Sequence, residues 1–353
     1  MDSIDFIELI HGDGGSRTDQ LIQLIQSQFT RLKIQGGLGA KAMDDSALLP
    51  LDNQGNYLAF STDSHTIKPL FYPGGNIGHL AVAGTVNDIA VMGATPITLA
   101  SAFVIEEHFP VQGDQGLNEI LKAMNNVAIE AEISIAAGDT KVMPHGELDG
   151  MIITTTGLGL ATRREIITDG GAKPGDKLLV TGTIGDHGLS LLVAREQIEI
   201  STNLISDVAP LAHLMKQAKE AAGCTGDQCN IHAAKDITRG GLASAVNDIA
   251  RASKAGLFIE EDKIPFKKDM KGIADMLGLD PLSIANEGKI IMAIDPEHAE
   301  AVLTAIRAHK YGRDAVIIGE VRSSVIEKVI LETEIGAKRI LQRPLGAPIP
   351  RIC

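Results

Sequence analysis

Residues 79–92 read HLAVAGTVNDIAVM, and this run decides the fold class. It is apolar on all sides apart from Asn87 and Asp88, which predicts a buried helix. Strand-like runs precede and follow it, at 57–62 (YLAFST) and 97–105. A buried helix between strands is typical of a domain in which helices pack on a sheet.

Helices and strands alternate in the same way along both halves of the chain, and a turn-rich segment at 162–175 separates the halves. The 353 residues, 44% of them hydrophobic, are enough for two cores. We therefore predict a mixed α/β (α+β) fold of two domains, at 1–161 and 162–341, with helices packed on mixed sheets. The Pro-rich remainder, 342–353, is predicted to be a flexible tail.

A short internal repeat links the two halves. The residues Val86–Ala90 (VNDIA) recur as Val246–Ala250, and both copies lie in predicted helices, at 79–92 and 241–253. The repeat is short enough to arise by chance, or it reflects two similarly built halves.

Composition excludes several classes of partner. The net charge of −13 argues against a nucleic acid or an anionic membrane, and the 3% of aromatic residues offers few stacking platforms. We see no basic and apolar leader and no apolar run of membrane length, so we expect neither a signal peptide nor a membrane span. Three cysteines in a long chain favour a reducing compartment, and we expect a cytoplasmic protein.

Carboxylates recur where predicted strands end or helices begin. Mg²⁺ prefers carboxylate oxygens, and a polyphosphate approaching an acidic protein needs a cation between the two. Any one of these carboxylates is explained as a cap, but the whole set favours a metal–nucleotide site. Its members and their polar neighbours are Asp45, Asp63, Asn87, Asp88, Asp139, Thr140, Asp236, Thr238 and Arg239.

Three further features are candidates for chemistry. The glycine-rich start, HGDGGS, precedes a predicted helix, so Gly14 and Gly15 are candidates for phosphate contacts. Lys141, which follows the Asp-Thr pair, either contacts phosphate or is a solvated surface lysine. Glu287, before an apolar strand, is either a general base or part of a polar turn.

The cysteines divide into two groups. Cys353 is the last residue and follows Pro344, Pro348 and Pro350, so a frayed terminus is one interpretation. A thiol at the end of an arm makes few packing contacts and cross-links no segments, however, so we predict that Cys353 is the reactive group. The remaining pair lacks the second ligand pair of a zinc knuckle and is interpreted as ordinary loop thiols: Cys224 and Cys229.

The ordered motifs resemble the HypE family, the carbamoyl dehydratases of [NiFe]-hydrogenase maturation, within the superfamily of aminoimidazole ribonucleotide synthetase-like ATP enzymes. The likeness runs from HGDGG at 11–15 to PRIC at 350–353. The acidic and glycine motifs indicate the superfamily, whereas the terminal Pro-Arg-Ile-Cys is specific to the family. Asp13 and Ile237 depart from the family pattern without removing a proposed ligand.

The resemblance implies a homodimer with a two-domain aminoimidazole ribonucleotide synthetase-like fold, whose N-terminal domain binds ATP and dimerises. A partner, HypF, would place a carbamoyl group on Cys353, and the chain would use ATP to dehydrate the S-carboxamide to a thiocyanate. Lys141 and Glu287 would serve that dehydration. A HypC–HypD complex would then accept cyanide for the iron of [NiFe]-hydrogenase. The expected Mg²⁺ ligands are Asp45, Asp63, Asp88, Asp139 and Asp236.

Two alternatives remain open. The first is another ATP-using enzyme of the superfamily. A selenophosphate synthetase would carry a reactive Cys near its N-terminus, whereas the first here is Cys224, and a thiamine-phosphate kinase would have no use for a terminal Cys. The second is a metallochaperone that binds metal through its cysteines, in which the acidic motifs are only caps.

Overall fold

The computed structural model describes residues 4–196, 203–224, 228–346 and 348–353. The fold contains two mixed sheets with helices packed against them. The elements of the N-terminal half are α1 (Ser16–Ser27), β1 (Ala47–Pro50), β2 (Asn56–His65), β3 (Phe71–Tyr72), β4 (Gly75–Asn76), α2 (Ile77–Val91), β5 (Thr95–Glu106), α3 (Leu117–Glu130), β6 (Ser134–Met143) and β7 (Met151–Thr162). Those of the C-terminal half are β8 (Lys177–Val180), α4 (Asp186–Arg195), α5 (Ala212–Ala221), β9 (Ile231–Asp236), α6 (Gly241–Ser253), β10 (Gly256–Glu260), α7 (Lys268–Met276), β11 (Ile290–Ile294), α8 (Ala299–Ala308), β12 (Val316–Arg322), β13 (Val329–Glu332) and β14 (Lys338–Ile340).

The N-terminal sheet has the order β1-β2-β7-β5-β6, and only its β5–β6 pair is parallel. The predicted buried helix is α2, which packs on this sheet and on α3. Its start is fixed by Asn76, whose Oδ1 accepts hydrogen bonds from Gly78 N at 2.9 Å and His79 N at 3.4 Å. The apolar side chains of α2 are buried nearly all round, and Asp88 is a half-buried residue of the helix that lines a cavity.

The C-terminal sheet has the order β14-β13-β10-β12-β8-β11-β9 and is covered on both faces. One face packs against α6, and the other against α5 and α8. All of β11 is buried between them, as its continuous apolar sequence requires. At the edge, β9 ends at Asp236, close to the start of α6, so the end of this strand points a carboxylate towards the N-terminal half.

The predicted fold class is confirmed, but details differ. The sequence at 133–137 predicts a strand that ends in Gly138-Asp139-Thr140, whereas β6 continues to Met143, so these three residues lie within an exposed edge strand. The sequence at 187–198 predicts a helix, and α4 is its described part. The predicted end at Ile198 lies outside the described residues. Among the described residues, no helix combines the length and apolarity needed to cross a bilayer.

Two expectations about the cysteine segments need correction. Cys224 and Cys229 are joined by a disulfide rather than being free loop thiols, and their Cα atoms are 3.9 Å apart. The tail was predicted to be flexible, yet it is docked in the structure, with Ile349 and Ile352 buried in the core beside α2 and α4. Alternating with prolines, these two apolar side chains anchor the segment without helix or strand.

Candidate nucleotide and thiol site

A cavity of about 730 Å³ opens where the two halves meet, between β2 and α2 on one side and the β9–α6 connection on the other. A volume of this size suits a cofactor or nucleotide. Most of the predicted site residues reach it from different elements. They are Gly14, Asp45, Asp63, Asp88, Asp236, Thr238, Arg239, Glu287 and Cys353.

Three of the predicted carboxylates converge. Oxygens of Asp45, Asp88 and Asp236 lie within 4.8 Å of one another. Burial, reinforced by the charges of Asp236 and Asp45, raises the pKa of Asp88 well above its ordinary value. Burial and the charge of Asp45 raise the pKa of Asp236 to about 8. Crowded carboxylates of this kind resist ionisation together unless a cation joins them.

The cluster fits Mg²⁺ on its donor chemistry. All three groups are hard oxygen donors, and Asp45 Oδ2 is buried without a hydrogen-bond partner in the part of the chain that the structure describes. Ser61 Oγ donates to Asp88 Oδ2 at 2.5 Å, which orients that carboxylate. Asp63 lines the same cavity and adds its charge to the field around Asp88 and Asp236.

A lysine that sequence reasoning missed lines the same cavity beside the cluster. Lys235 Nζ pairs with Asp45, and with Asp169 Oδ2 at 3.1 Å. Burial lowers the pKa of this lysine, but the charges of Asp45 and Asp169 outweigh burial and hold it well above the ordinary value. The available signal was its position beside Asp236 at a strand end. Asp44, whose Oδ1 accepts from Asp169 N at 3.2 Å, was signalled by its pairing with Asp45 in the sequence, whereas Asp169 carries no comparable pattern.

The terminal thiol lies in the same cavity. Burial raises the pKa of the Cys353 thiol to about 12, although the nearby Arg239 opposes the shift. The charge of Cys353, ahead of that of Asp63, in turn raises the pKa of Arg239. Burial and the charges of Asp236 and Asp63 raise the pKa of Glu287 well above its ordinary value, and its Oε1 has no hydrogen-bond partner among the described residues.

The glycine-rich start does not form the phosphate loop that was expected. The first amides of α1 are already bonded to the tail segment, with Ser16 N donating to Pro344 O at 3.0 Å and Arg17 N to Leu345 O at 3.1 Å. Gly15 packs against that segment and does not line the cavity. Gly14 does, in a left-handed conformation (φ +78°) that lets it lie against Arg239.

Besides Gly15, four predicted residues lie outside the cavity. The side-chain amide of Asn87 bonds to the C-terminal half: it donates to Ala209 O at 3.0 Å and accepts from Leu211 N at 2.8 Å. The other three are exposed on β6, where Lys141 Nζ bonds to its own neighbour, Asp139 Oδ2, at 2.7 Å. None of the four lines the cavity within one chain: Asn87, Asp139, Thr140 and Lys141.

Family models match most of the chain. The N-terminal domain of AIR synthase related protein matches residues 43–161, and the C-terminal domain of AIR synthase related protein matches residues 173–332. The two matched ranges together include all three members of the carboxylate cluster and Glu287, so the cavity lies between the two matched domains.

Relatives resemble the chain over nearly its whole length. A putative hydrogenase expression/formation protein of Methanocaldococcus jannaschii is 43% identical over 98% of this chain and 99% of its own. The carbamoyl dehydratase HypE of Escherichia coli K12 is 40% identical over 98% and 99%.

Solved structures are equally similar. A crystal structure of a HypE–HypF complex has a TM-score of 0.82 at 40% identity, covering 92% of this chain and 99% of that one. A HypE in complex with ATP has a TM-score of 0.79 at 36% identity, covering 99% and 100%.

Proposed function

The chain belongs to the HypE family of AIR synthase related proteins, as its motifs predicted, and from this premise we propose that it is an ATP-dependent carbamoyl dehydratase acting on its own terminus. Its substrate is an S-carboxamide on Cys353, and its product is a thiocyanate. The cyano group of that product is the source of the cyanide ligand for the iron of [NiFe]-hydrogenase.

The observation that carries this proposal is that Cys353 lies in one cavity with the Asp45, Asp88 and Asp236 cluster. A group attached to the sulfur is thereby placed beside the residues suited to hold a nucleotide's metal and phosphates. Such positioning supplies much of the catalysis in phosphoryl transfer, because little covalent chemistry is left for the protein. ATP is bound by HypE in a solved relative, which supports ATP as the co-substrate.

The chemistry balances in two steps. The amide oxygen attacks the γ-phosphorus and the bond from that phosphorus to the β,γ-bridging oxygen breaks, which releases ADP. The two amide protons then leave and the C–O bond breaks, which releases phosphate and leaves the C≡N bond. Phosphorylation is needed because hydroxide is a poor leaving group whereas phosphate leaves readily.

Residues beside the thiol fit the needs of these steps. Arg239 carries a fixed positive charge at Cys353 and stabilises negative charge developing on the phosphorylated oxygen. Glu287 has a buried oxygen without a partner among the described residues, and it is the candidate to accept an amide proton. Thr238, which also lines the cavity, is a candidate nucleotide contact.

Mg²⁺ is part of the proposal. Asp45, Asp88 and Asp236 would hold it, with Asp63 as a further candidate, and it would neutralise phosphate charge. Lys235, beside the cluster, pairs with Asp45 and keeps that carboxylate in place.

A homodimer would account for the predicted residues on β6, which do not line the cavity of their own chain. β6 is a ten-residue edge strand exposed along nearly all of its length, with Ile135 and Val142 among its exposed apolar side chains. A long exposed edge of this kind is normally covered. A second copy on this sheet would bury Asp139, Thr140 and Lys141, and it would allow them to serve a neighbouring cavity instead of their own.

Intact mass spectrometry tests the proposed function. After incubation with HypF, carbamoyl phosphate and ATP, the terminal peptide should gain a carboxamide and then lose the mass of one water. Cys353→Ala should gain nothing, whereas Cys224→Ser and Cys229→Ser should be modified like the wild type. Modification on either loop cysteine, or a carboxamide that persists in the presence of ATP, would contradict the proposal.

The partners and compartment follow from the same premise. The complex of a relative with HypF supports HypF as the carbamoyl donor, and a HypC–HypD complex in the cytoplasm is the proposed cyanide acceptor. A metallochaperone is disfavoured, because Cys224 and Cys229 are bonded to each other and the metal-binding cluster found among the described residues contains only carboxylates.

A further inference from the structure

The tail is held in a groove between the two halves by contacts to its backbone. Thr66 N donates to Cys353 O at 2.9 Å, and Lys68 N donates to Arg351 O at 3.2 Å. These two bonds form a short antiparallel pairing against the segment that follows β2. They set the depth at which the last residue enters the cavity.

Arg195, at the end of α4, spans the tail and this segment. Its Nη1 donates to Pro350 O at 2.6 Å and its Nη2 to Arg351 O at 2.8 Å, while Nε and Nη2 both donate to Lys68 O, at 2.8 and 2.6 Å. One guanidinium therefore joins the C-terminal half, the N-terminal half and the tail. The guanidinium suits these three carbonyls because its N–H donors lie on three nitrogens in a fixed planar fork, whereas an ammonium donates from a single nitrogen.

His187, near the start of α4, provides a second hold. Its Nε2 is 2.7 Å from Ile352 O, and a carbonyl only accepts, so the proton is on Nε2. Nδ1, 2.7 Å from Ser206 Oγ, then accepts from that hydroxyl, whose oxygen in turn accepts from Val208 N at 3.1 Å. The fully buried ring is thus fixed as one neutral tautomer aimed at the last peptide bond of the chain.

The held conformation is not one the tail adopts freely. Arg351 has φ +53°, in the left-handed region that is disfavoured for every residue except glycine. Its side chain compensates by donating from Nε to Thr66 O at 3.0 Å and from Nη1 to Asp149 Oδ2 at 2.7 Å. A turn that is stable only while its contacts last suits a segment that is inserted and withdrawn.

We propose that Arg195 and His187 are positioning residues that hold the tail inserted, with Cys353 in the cavity, during dehydration. They act through the tail backbone and touch neither ATP nor the reacting carbon. Their role in dehydration rests on the proposed function, whereas their hold on the tail does not. Loading by the carbamoyl donor requires the opposite state, because the inserted thiol lies partly exposed inside the cavity and a donor enzyme needs access to it.

Thiol alkylation measures the inserted state without any carbamoyl chemistry. In the full chain, with the Cys224–Cys229 disulfide intact, iodoacetamide should modify Cys353 slowly. Arg195→Met should accelerate alkylation about tenfold or more, since it removes hydrogen bonds from a charged donor. Arg195→Lys should restore only part of the protection, because an ammonium group cannot span three carbonyls. Exposed Arg313→Met is the matched control and should alkylate at the wild-type rate.

His187 is tested in the same assay. His187→Leu should also accelerate alkylation, and His187→Gln, which keeps an N–H donor, should do so less. Unchanged thermal melting of the Arg195 variants and of His187→Gln separates release of the tail from unfolding. Wild-type alkylation rates in Arg195→Met and His187→Leu would overturn the proposal.

The reaction itself provides the second measurement. In Arg195→Met, loading by HypF should proceed at least as fast as in the wild type, whereas dehydration of the loaded carboxamide should slow about tenfold. Accelerated alkylation with an unchanged dehydration rate would overturn the positioning role. If no chain, including the wild type, dehydrates its carboxamide, the proposed function fails while the alkylation result still decides whether the two residues hold the tail.

Discussion

The two copies of Val-Asn-Asp-Ile-Ala have identical residues and opposite surroundings. In α2, Asp88 faces Asp45 and Asp236, and no cationic side chain bonds to it among the described contacts. In α6, Asp248 bonds to Arg343 and, at 3.0 Å, to Arg251 Nη2. Both carboxylates line the same cavity, yet one lacks a counter-charge and the other has two.

The difference shows that neighbours, not the local motif, decide what a carboxylate does. Crowding of like charges suits Asp88 to the proposed cation, whereas pairing makes Asp248 a link between α6 and Arg343 of the tail. The two asparagines divide in the same way. Asn87 joins the halves, and Asn247 donates within α6, to Ala243 O at 2.8 Å, and to Leu341 O at 3.0 Å.

The largest effect is expected for Asp88→Asn. The amide keeps the shape but cannot serve as an anionic ligand, so Mg²⁺-dependent ATP hydrolysis should fall more than about 100-fold. The melting temperature should not fall, because the substitution removes a carboxylate that burial and like charges disfavour. Phosphate release and thermal melting of the same preparation measure both effects.

Asp248→Asn is the matched substitution in the other copy, and it should lower stability while affecting ATP hydrolysis much less. It leaves Arg343, which is mostly buried, without its close partner, at a cost of about 2 kcal/mol in the free energy of unfolding. ATP hydrolysis should fall less than about tenfold, since the carboxylate cluster is intact. Equal losses of hydrolysis in the two variants would show that the copies do not differ in function.

The pH dependence of stability sharpens the contrast. The pKa of Asp236 is raised to about 8, so between the ordinary carboxyl pKa and about 8 the folded protein holds a proton that the unfolded chain releases. Without a divalent cation, stability should therefore fall as pH rises through this range. Mg²⁺ should raise the melting temperature more at about pH 8.5 than at about pH 6.

Asp236→Asn should flatten this pH dependence, and Asp248→Asn should leave it unchanged. Both variants are measured in a chelator and again with Mg²⁺. A wild-type melting temperature that rises with pH in the chelator would contradict the assignment of the cluster.

The sequence predicted the mixed two-domain fold and the carboxylates of the cavity because both leave periodic or positional signals. Asp45, Asp63, Asp88 and Asp236 stand beside apolar runs that become strands or helices, and packing those runs brings their ends together. The same reasoning did not show that Asp139 lies outside the cavity of its own chain, because its strand continues past it and is exposed at the sheet edge. Local pattern does not reveal whether an edge strand is covered.

The docking of the tail could not be predicted for a different reason. Arg195 and His187 bond to backbone carbonyls, which every residue carries. The side chains of the tail therefore contain no pattern that would indicate these two partners. The same holds for the first amides of α1, which the tail carbonyls of Pro344 and Leu345 occupy. Helix starts attract acceptors in general, and only the structure shows which acceptor reaches this one.

Asn87→Ala should destabilise the protein through the contact between the halves. It leaves the buried Leu211 N–H without its acceptor and Ala209 O without one donor, which costs about 2 kcal/mol. Urea unfolding followed by circular dichroism measures the loss. Because Asn87 does not line the cavity, the ATP hydrolysis rate of the folded variant should stay within about twofold of the wild type.

The smallest effect is expected for Asn247→Ala. Its side chain donates to Ala243 O one turn earlier in the same helix, and to Leu341 O, and the residue is only partly buried, so water replaces part of what is lost. Alanine also has the higher helix propensity, by a few tenths of a kcal/mol, which offsets the missing bond. The net loss in urea unfolding should be below about 1 kcal/mol, smaller than that of Asn87→Ala. A loss equal to that of Asn87→Ala would mean that the bond to Leu341 fastens the last sheet strand as firmly as Asn87 joins the two halves, and the two copies would then be structurally equivalent after all.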